Sequence, residues 1–226
     1  VPAADVVAGL VAADGERDHR QLGVVAATGP GATFTGAKCH DWAGGQAGEG
    51  WAAQGNILVG PQVIDAMRDA WLAGPALPFP RRLLAALRAG DEAGGDRRGR
   101  QSAGLLVVQR GGGYGGNSDV VVDLRVDDHP DPVTELDRLL AVHTLLFTRP
   151  DPATLLDLTG AVAAEVGTLL AALGHPVGPA GPEEALVSWA GMENLEERLV
   201  PGRIDPVVLE HLRRAAPHIP TPRTAS

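Results

Sequence analysis

The sequence has little of several residue types that particular protein classes require. It contains one cysteine, Cys39, in 226 residues, which excludes an internal disulfide framework and a cysteine-rich zinc site. Aromatic residues make up only 4%, and 19 basic residues face 28 acidic ones. Because nucleic-acid binding depends on basic surface that neutralises phosphates, no nucleic-acid partner is expected.

Long hydrophobic runs are also missing. No apolar stretch approaches the roughly 18–20 residues that a membrane-spanning helix requires, and the opening VPAADVV lacks the basic start of a signal peptide. We therefore expect a cytoplasmic protein without a membrane partner. The stretch VPAADVVAGLVAAD predicts an amphipathic helix, with Val6, Val7, Leu10 and Val11 on one side. A helix is an odd place for a gene to begin, so we also expect sequence to be missing ahead of Val1.

The residues that are present predict a globular protein of two domains. Hydrophobic residues make up 44% and charged residues 21%, as in soluble proteins with a real core. Strand and helix patterns come in blocks up to RPDPATLL, which favours an α+β domain with sheets layered against helix pairs. Only helical patterns follow. We predict an α+β domain at 1–148, a small all-α domain at 149–218 and a tail at 219–226.

Turn residues and apolar spacing predict the elements of the first domain. Strands are expected at Gln21–Ala26 and Ala32–Thr35, whereas CHDWAGGQAGEG, residues 39–50, predicts a loop. The strand WAAQGN ends near Asn56, and two helices follow it. Next, AGLLVV predicts a fully buried strand, paired in a hairpin with DVVVDLRVDD. Asp131 predicts the N-cap of a helix.

The stretch GDRRGRQS, residues 95–102, puts an aspartate and three arginines directly before the AGLLVV strand. Loop-to-strand junctions often carry active-site groups on a rigid scaffold. A solvated turn is the alternative, in which Asp96 pairs with an arginine at the surface and contributes only ~0–1 kcal/mol. Both interpretations stay open on spacing alone. The candidate site residues of this stretch are Asp96, Arg97, Arg98, Gln101 and Ser102.

Gln54 and Asn56 end a strand just before a helix N-terminus, where backbone N–H groups favour negative charge. Asn56 could therefore donate a hydrogen bond to a developing oxyanion. The alternative is that Asn56 only terminates the strand and shapes a turn.

Other patterns have plainer explanations. Asp127, Asp128 and His129 are adjacent in sequence, as are His40 and Asp41, and adjacent side chains rarely converge on one ion, so no metal site is predicted. Cys39 is expected to be a small buried side chain, not a nucleophile. The GGGYGGN stretch lacks the lysine that follows a phosphate-binding loop, so it predicts a hairpin tip.

Helical periodicity predicts the core of the second domain. Trp189 could line a ligand groove, but we expect it to lie in the core. The predicted core residues are Leu169, Leu170, Leu173, Leu186, Trp189, Leu195, Leu199, Ile204, Val208, Leu209 and Leu212.

Several motifs occur in an order that resembles the family known as domain of unknown function 1028. They are QLGVV, TFTG..CHDWAG, WAAQGN.LVGP.V..AM, AGGDRRGRQSAGLLVV, GGYGG and DLRVDDHPDP, within residues 1–148. The stretch from GAVAAEVGTLLAALG to RIDPVVLEHL resembles a small peptidoglycan-binding helical domain that often follows this family.

The resemblance implies an N-terminal nucleophile hydrolase fold, an αββα sandwich that is incomplete in this chain because its opening strands are absent. In that superfamily the first residue of the mature chain is Thr, Ser or Cys, attacks an amide carbonyl, and uses its own α-amine as the base. Val1 has neither a hydroxyl nor a thiol, so it cannot be the nucleophile. The chemistry requires no cofactor, and none is expected.

The resemblance also suggests a role for each candidate residue. Asn56 would donate to the oxyanion, Asp96 would orient a base or a substrate amine, and Ser102 or Gln101 would bond the α-amine. Arg97 or Arg98 would hold a substrate carboxylate through two parallel hydrogen bonds. Gln54 would line the substrate site.

Two functions follow from the resemblance. One is a fragment of an amide-bond hydrolase acting on a small amide or peptide substrate. The other is a non-catalytic binding protein that recognises cell-wall peptide or glycan through its C-terminal helical module. Unpaired strand edges would favour self-association, so a homo-oligomer is a further possible assembly. An N-terminal Thr, Ser or Cys upstream of Val1 would favour the hydrolase.

Overall fold

The computed structural model describes residues 1–216. They form two compact units, one from Val1 to Leu139 and one that begins at Leu140. The predicted tail at 219–226 lies outside the described residues, and the predicted boundary after residue 148 stays a prediction. No helix in the described part of the chain is long and apolar enough to cross a membrane.

The first unit is a mixture of helices and three antiparallel hairpins. Its elements, with the helix that continues into the second unit, are α1 (Ala3–Ala13), β1 (Gln21–Val24), β2 (Ala32–Thr35), β3 (Gly44–Gly48), β4 (Trp51–Gly55), α2 (Gln62–Ala73), α3 (Phe79–Glu92), β5 (Ala103–Val108), β6 (Val120–Val126) and α4 (Pro132–Phe147). The hairpins are β1–β2, β3–β4 and β5–β6.

The predicted loop at 39–50 is wrong in its second half, where the chain forms β3. This strand pairs with β4 from Gly44↔Gly55 to Gly48↔Trp51. Its sequence, GGQAG, has no β-branched or aromatic residue, so strand propensity gives no signal for it. The strand forms because a tight turn returns the chain on itself at Gly50, whose φ of 71° suits glycine.

Glycines let the β1–β2 and β3–β4 hairpins approach each other closely. At the hairpin tips, the Gly31 N–H donates to the Gly48 carbonyl oxygen at 2.9 Å. A Cβ on Gly31 would stand 2.4 Å from the carbonyl oxygen of Trp51, and one on Gly23 would stand 2.2 Å from the Gln54 side-chain oxygen. Backbone therefore faces backbone at Gly31, where no side chain fits.

The β5–β6 hairpin buries one face only. Leu105 and Val107 point into the core, but Leu106 and Val108 are 62% and 63% exposed, so the prediction that this strand is fully buried is wrong. The apolar side predicted for α1 is similar, because Val7 is buried while Leu10 is 52% exposed. Both elements present apolar surface outward.

Helix α4 begins as predicted. The Asp131 carboxylate accepts hydrogen bonds from the hydroxyl and the backbone N–H of Thr134, which lower the pKa of Asp131. This is the N-cap arrangement. Further along α4, Asp137 accepts hydrogen bonds from Arg81 and Arg88, and these tie α3 to α4.

The second unit is helical around a leucine-rich core. Its helices α5 (Gly160–Ala172), α6 (Glu183–Met192) and α7 (Pro206–Ala215) surround all eleven predicted core residues, eight of them fully buried, with Leu169, Leu173 and Leu199 partly buried at the edge. The core prediction, including Trp189, is therefore confirmed. The expectation of helices alone is wrong in one detail, because Leu156–Asp157 and Arg203–Ile204 pair as two short antiparallel strands.

A buried ion pair joins three parts of this unit. Arg198 and Asp205 are 4% and 3% exposed, and their charged atoms are 2.5 Å apart. Arg198 also donates to the carbonyl oxygens of Leu145 and Thr144, each at 2.6 Å, in the last turn of α4. The second Asp205 oxygen caps α7 by accepting from the Val207 N–H at 2.9 Å. Every charged atom of the pair thus has a partner, which burial of charge requires.

Candidate functional site

Three segments from distant parts of the first unit meet side by side. They are residues 40–42, 57–59 and 95–97, and we name this arrangement the three-segment junction. Each segment is a loop next to a strand or helix, and each belongs to one of the sequence motifs described above. The bonds that join them are Ile57 N–H to His40 O at 3.1 Å, Leu58 N–H to Trp42 O at 3.0 Å, Val59 N–H to Gly95 O at 3.1 Å and Arg97 N–H to Ile57 O at 2.8 Å.

Ile57, in the middle of the junction, has a strained backbone. Its φ is +57°, in the left-handed region that a β-branched side chain rarely enters. Holding such a residue there costs of order 1–3 kcal/mol, and residues of this kind cluster at active sites and ligand-binding loops. Hydrogen bonds from both neighbouring segments fix the Ile57 backbone, so the junction maintains the strain.

Asn56, directly before Ile57, is exposed and held by a glutamine that the sequence did not single out. The Asn56 Nδ2 lies 3.4 Å from the Gln21 Oε1. The Gln21 Nε2 donates to the Thr35 hydroxyl at 3.0 Å and to the carbonyl oxygens of Gly44 and Gly55 at 3.2 and 2.8 Å. Since an asparagine amide has two N–H donors, one remains for a ligand.

Gln54 lies on β4 with an exposed side chain over Gly23. Within residues 1–216 that side chain makes no hydrogen bond. Its amide therefore stays available beside Asn56.

Asp96 pairs with Arg98, as the solvated-turn alternative predicted. Their side chains form two parallel hydrogen bonds, 3.0 Å to Oδ1 and 2.7 Å to Oδ2. This hydrogen bonding is the largest effect on Asp96 and holds the pKa of its carboxyl below the usual value, against a smaller desolvation effect. Asp96 is thus ionised at neutral pH and committed to Arg98, which leaves it poorly suited to orienting a substrate amine.

Arg97 differs from its two neighbours. Arg100 pairs with Asp91 at 2.6 Å, and Arg98 pairs with Asp96. Arg97 donates to the backbone carbonyl oxygen of Asp41, and among the described residues it has no salt bridge to a carboxylate. Because a guanidinium carries five N–H donors, Arg97 keeps both charge and donors for a ligand at the junction.

Gln101 and Ser102 lie directly before β5. The Gln101 carbonyl oxygen accepts from the His129 N–H at 2.9 Å, next to the end of β6. In the described part of the chain the side chains of Gln101 and Ser102 make no hydrogen bond. Backbone hydrogen bonds thus bring Asn56, Asp96 and Arg97 together at the junction and connect Gln101 to another loop. A common cleft that includes Ser102 stays a prediction.

The residues considered for a metal or a thiol have other contacts. No group of three or more His, Cys, Asp and Glu side chains within 1–216 is placed to hold a metal ion. The His129 Nδ1 accepts from the Asp131 N–H at 3.0 Å. Cys39 is half-buried, less than expected, and its thiol donates to the Arg20 carbonyl oxygen at 3.4 Å.

Comparison with known proteins identifies the family. A family model described as "Family of unknown function (DUF1028)" matches residues 1–136. The chain belongs to the DUF1028 family. A second model, described as "Putative peptidoglycan binding domain", matches residues 146–212. Both resemblances drawn from the motifs are thereby confirmed.

A solved DUF1028 structure is similar to this one. It is the crystal structure of protein SPO2555 from Silicibacter pomeroyi, which is 32% identical, with a TM-score of 0.54. The match covers 73% of this chain and 64% of the Silicibacter protein, so the chain spans less than two thirds of the length of that relative. No curated protein matches.

Sequence reasoning missed two residues in this DUF1028 chain: Ile57 of the junction and Gln21, which contacts Asn56. Gln21 opens the QLGVV motif, yet a polar residue at a strand start has many ordinary explanations. Ile57 reads as a normal strand or helix former, and only the backbone reveals its strain. A weak signal existed for Gln21 only, because it opens a motif that carried the resemblance, whereas the motif WAAQGN.LVGP leaves the position of Ile57 open.

Proposed function

We propose that the first unit carries the substrate site of an amide-bond hydrolase of the N-terminal nucleophile type. The complete hydrolase domain would have the αββα sandwich fold. The observation that supports this is the strained Ile57 between Asn56 and Arg97, where three motif segments meet. A strained residue lowers the stability of the fold, and such residues are commonly found at active sites.

The roles in this proposal follow the contacts. Asn56 uses its remaining N–H to donate to the oxyanion that forms as the amide carbonyl is attacked. Arg97 binds the substrate carboxylate, because a planar guanidinium matches two carboxylate oxygens. Asp96 fixes Arg98 and the turn around it, and Gln54 lines the site. Gln101 or Ser102 contacts the α-amine that acts as the base, which a residue other than Val1 provides.

The substrate class follows from the charge that is left over. With Asp96 neutralised by Arg98, the uncommitted cation at the junction is Arg97. A small amide with a nearby carboxylate, such as an N-acylated amino acid or a peptide, complements one guanidinium and one amide donor.

Binding is the first test. N-acetylglycine carries both an amide and a carboxylate, whereas N-acetylglycinamide lacks the carboxylate. Calorimetric titration of the chain should show that the acid binds and the amide binds at least about tenfold more weakly, as expected for a lost charge-assisted hydrogen bond of about 1.5–3 kcal/mol. Equal binding of the two compounds would contradict the carboxylate site.

Hydrolysis is the second test. The protein is expressed with whatever sequence precedes Val1 in its gene, and mass spectrometry follows the cleavage of a panel of N-acylated amino acids and dipeptides. Cleavage that disappears when the first mature residue is changed to alanine supports the proposal. If the compounds bind but none of them is cleaved, the protein is a binding protein and not a hydrolase for this panel.

The second unit supports another function, recognition of cell-wall peptide or glycan. The supporting observation is the match of residues 146–212 to a peptidoglycan-binding model. The test is co-sedimentation of the full chain with purified insoluble peptidoglycan. Arg198→Met should abolish sedimentation by disrupting the second unit, while Gly31→Ala, which disrupts the first, should not. If both variants sediment like the wild type, the binding is non-specific.

A further inference from the structure

Gln21 connects the two hairpins that flank the three-segment junction. It is the first residue of β1, and its side chain reaches β2 at Thr35, the start of β3 at Gly44 and the end of β4 at Gly55. The Gly55 carbonyl belongs to the peptide group that leads into Asn56. One side chain therefore contacts both the backbone and the amide of the residue that we assign to the oxyanion.

The hydrogen bonds of Gln21 leave it little freedom. Its Nε2 has two hydrogens and three acceptors within 3.2 Å, so at least one N–H is shared between two acceptors. Because all three acceptors lie on the Nε2 side, the amide cannot flip without facing its oxygen toward two carbonyl oxygens. The Oε1 is thereby fixed toward Asn56, at 3.4 Å.

We propose that Gln21 is a positioning residue for Asn56. It accepts from one Asn56 N–H, so the second N–H points consistently away from β1 and toward the ligand. Gln21 contacts no substrate itself. This inference rests on the proposed function only for the meaning of Asn56, because the orientation of the Asn56 amide can be measured without any ligand.

The test uses Gln21→Met, which keeps the length of the side chain and removes the amide. Two-dimensional ¹H–¹⁵N NMR of the full chain resolves the side-chain amide protons, and Asn56→Asp identifies the Asn56 pair by its disappearance. In the wild type one Asn56 proton is bonded and the other is free, so their exchange rates with water should differ. In Gln21→Met the two rates should become equal, and both signals should move toward the positions of free asparagine side chains.

Gln46→Met is the matched control. Gln46 is also a hairpin glutamine with hydrogen bonds at both ends of its amide, to Asp65 and from Arg68, each 2.8 Å. Its loss should lower the melting temperature comparably and leave the Asn56 signals unchanged. If Gln46→Met alters Asn56 as much as Gln21→Met does, the effect is general loosening and the proposal is wrong.

Two further outcomes separate this inference from the proposed function. Unchanged Asn56 signals in Gln21→Met would overturn the positioning role even if N-acetylglycine binds. Altered signals in a protein that binds no carboxylate would retain the positioning role and remove the proposed substrate site. If Gln21→Met does not fold, Gln21→Asn is used instead, because it keeps an amide but is one methylene too short to reach Asn56. The same two Asn56 amide proton signals then test the positioning role.

Discussion

The core of the second unit and the β1–β4 hairpins of the first are held together differently. In the helical unit, Leu170, Leu195 and Leu212 are completely buried, and the Arg198–Asp205 pair is almost completely buried. In β1–β4 no residue reaches that burial, since every position is half-buried or exposed. Close backbone approach at glycines and amide hydrogen bonds, such as those of Gln21, hold the hairpins together.

This difference in burial is consistent with the ligand site proposed in the first unit. Burial of apolar area is the dominant stabilising contribution, and the helical unit uses it fully. The hairpins retain polar side chains at partly exposed positions and a strained Ile57, features that reduce stability and are typical of binding regions. The lightly buried part of the first unit is therefore the place to look for a ligand.

The largest expected effect is in the helical core. Arg198→Met removes the guanidinium that bonds the buried Asp205 carboxylate and the carbonyl groups at the end of α4. We therefore expect the free energy of unfolding of the second unit to fall by about 3–5 kcal/mol. Adding Asp205→Asn, which keeps an acceptor for the Val207 N–H, should recover part of this loss. Urea titrations of Arg198→Met, Asp205→Asn and the double variant measure it, and a double variant as unstable as the sum of the two single changes would contradict the coupling.

A smaller effect is expected at the hairpin glycines. Gly31→Ala puts a Cβ against the backbone of Trp51 and should cost about 1–3 kcal/mol, as overpacking does. Gly23→Ala meets only the far end of the Gln54 side chain, which can move, so its cost should be distinctly smaller. Equal thermal shifts for the two variants would mean that the hairpins adjust to each other more freely than their hydrogen bonds suggest.

The arginines of GDRRGRQS should differ in ligand binding. Arg97→Lys should weaken N-acetylglycine binding by roughly tenfold, the range of a charge-assisted hydrogen bond, because lysine lacks the planar fork. Arg98→Lys should change binding little, since Arg98 is already paired with Asp96. Neither variant should move the melting temperature much. Equal affinities of the two variants for N-acetylglycine would mean that the whole stretch is a solvated turn without a binding role.

The smallest effect is the pH dependence of the Asp96–Arg98 pair. The pKa of Asp96 is lowered in the folded protein from its ordinary value of 3.8, so its contribution to stability is complete above that value. The contribution is lost as the pH falls through the lowered folded pKa. Because the pair is largely solvated, the loss should be well below ~1 kcal/mol. Acid unfolding curves of Asp96→Asn and the wild type should converge at low pH.

Local signals predicted one part of the molecule well. Asp131 was recognisable as an N-cap from the Asp-Pro pattern, and helical periodicity identified the core of the second unit. Both features depend on residues within a few positions of one another, so the sequence alone contains them. Short polar stretches beside predicted strands also marked Asn56, Asp96 and Arg97 as candidates, and their roles in a site stay predictions.

The features that were missed depend on distant partners. Nothing local in GGQAG indicates a strand, because β3 exists only through its pairing with β4 and its contact with the other hairpin. Arg198 reads as a surface residue of a charged helix end, and its burial depends on carbonyl groups more than fifty positions earlier. The exposure of Leu106 was equally invisible, since alternating burial cannot be read from a run of six apolar and small residues.

The cap that Arg198 places on α4 also has a consequence for biosynthesis. The carbonyl groups of Thr144 and Leu145 leave the ribosome long before their partner, which is 53 residues later for Leu145. At a synthesis rate of about 5–20 residues per second, Arg198 is made roughly 3–10 s after the end of α4. During that interval the last turn of α4 is open to water, and translation pauses between codons 145 and 198 would lengthen its exposure to chaperones and proteases.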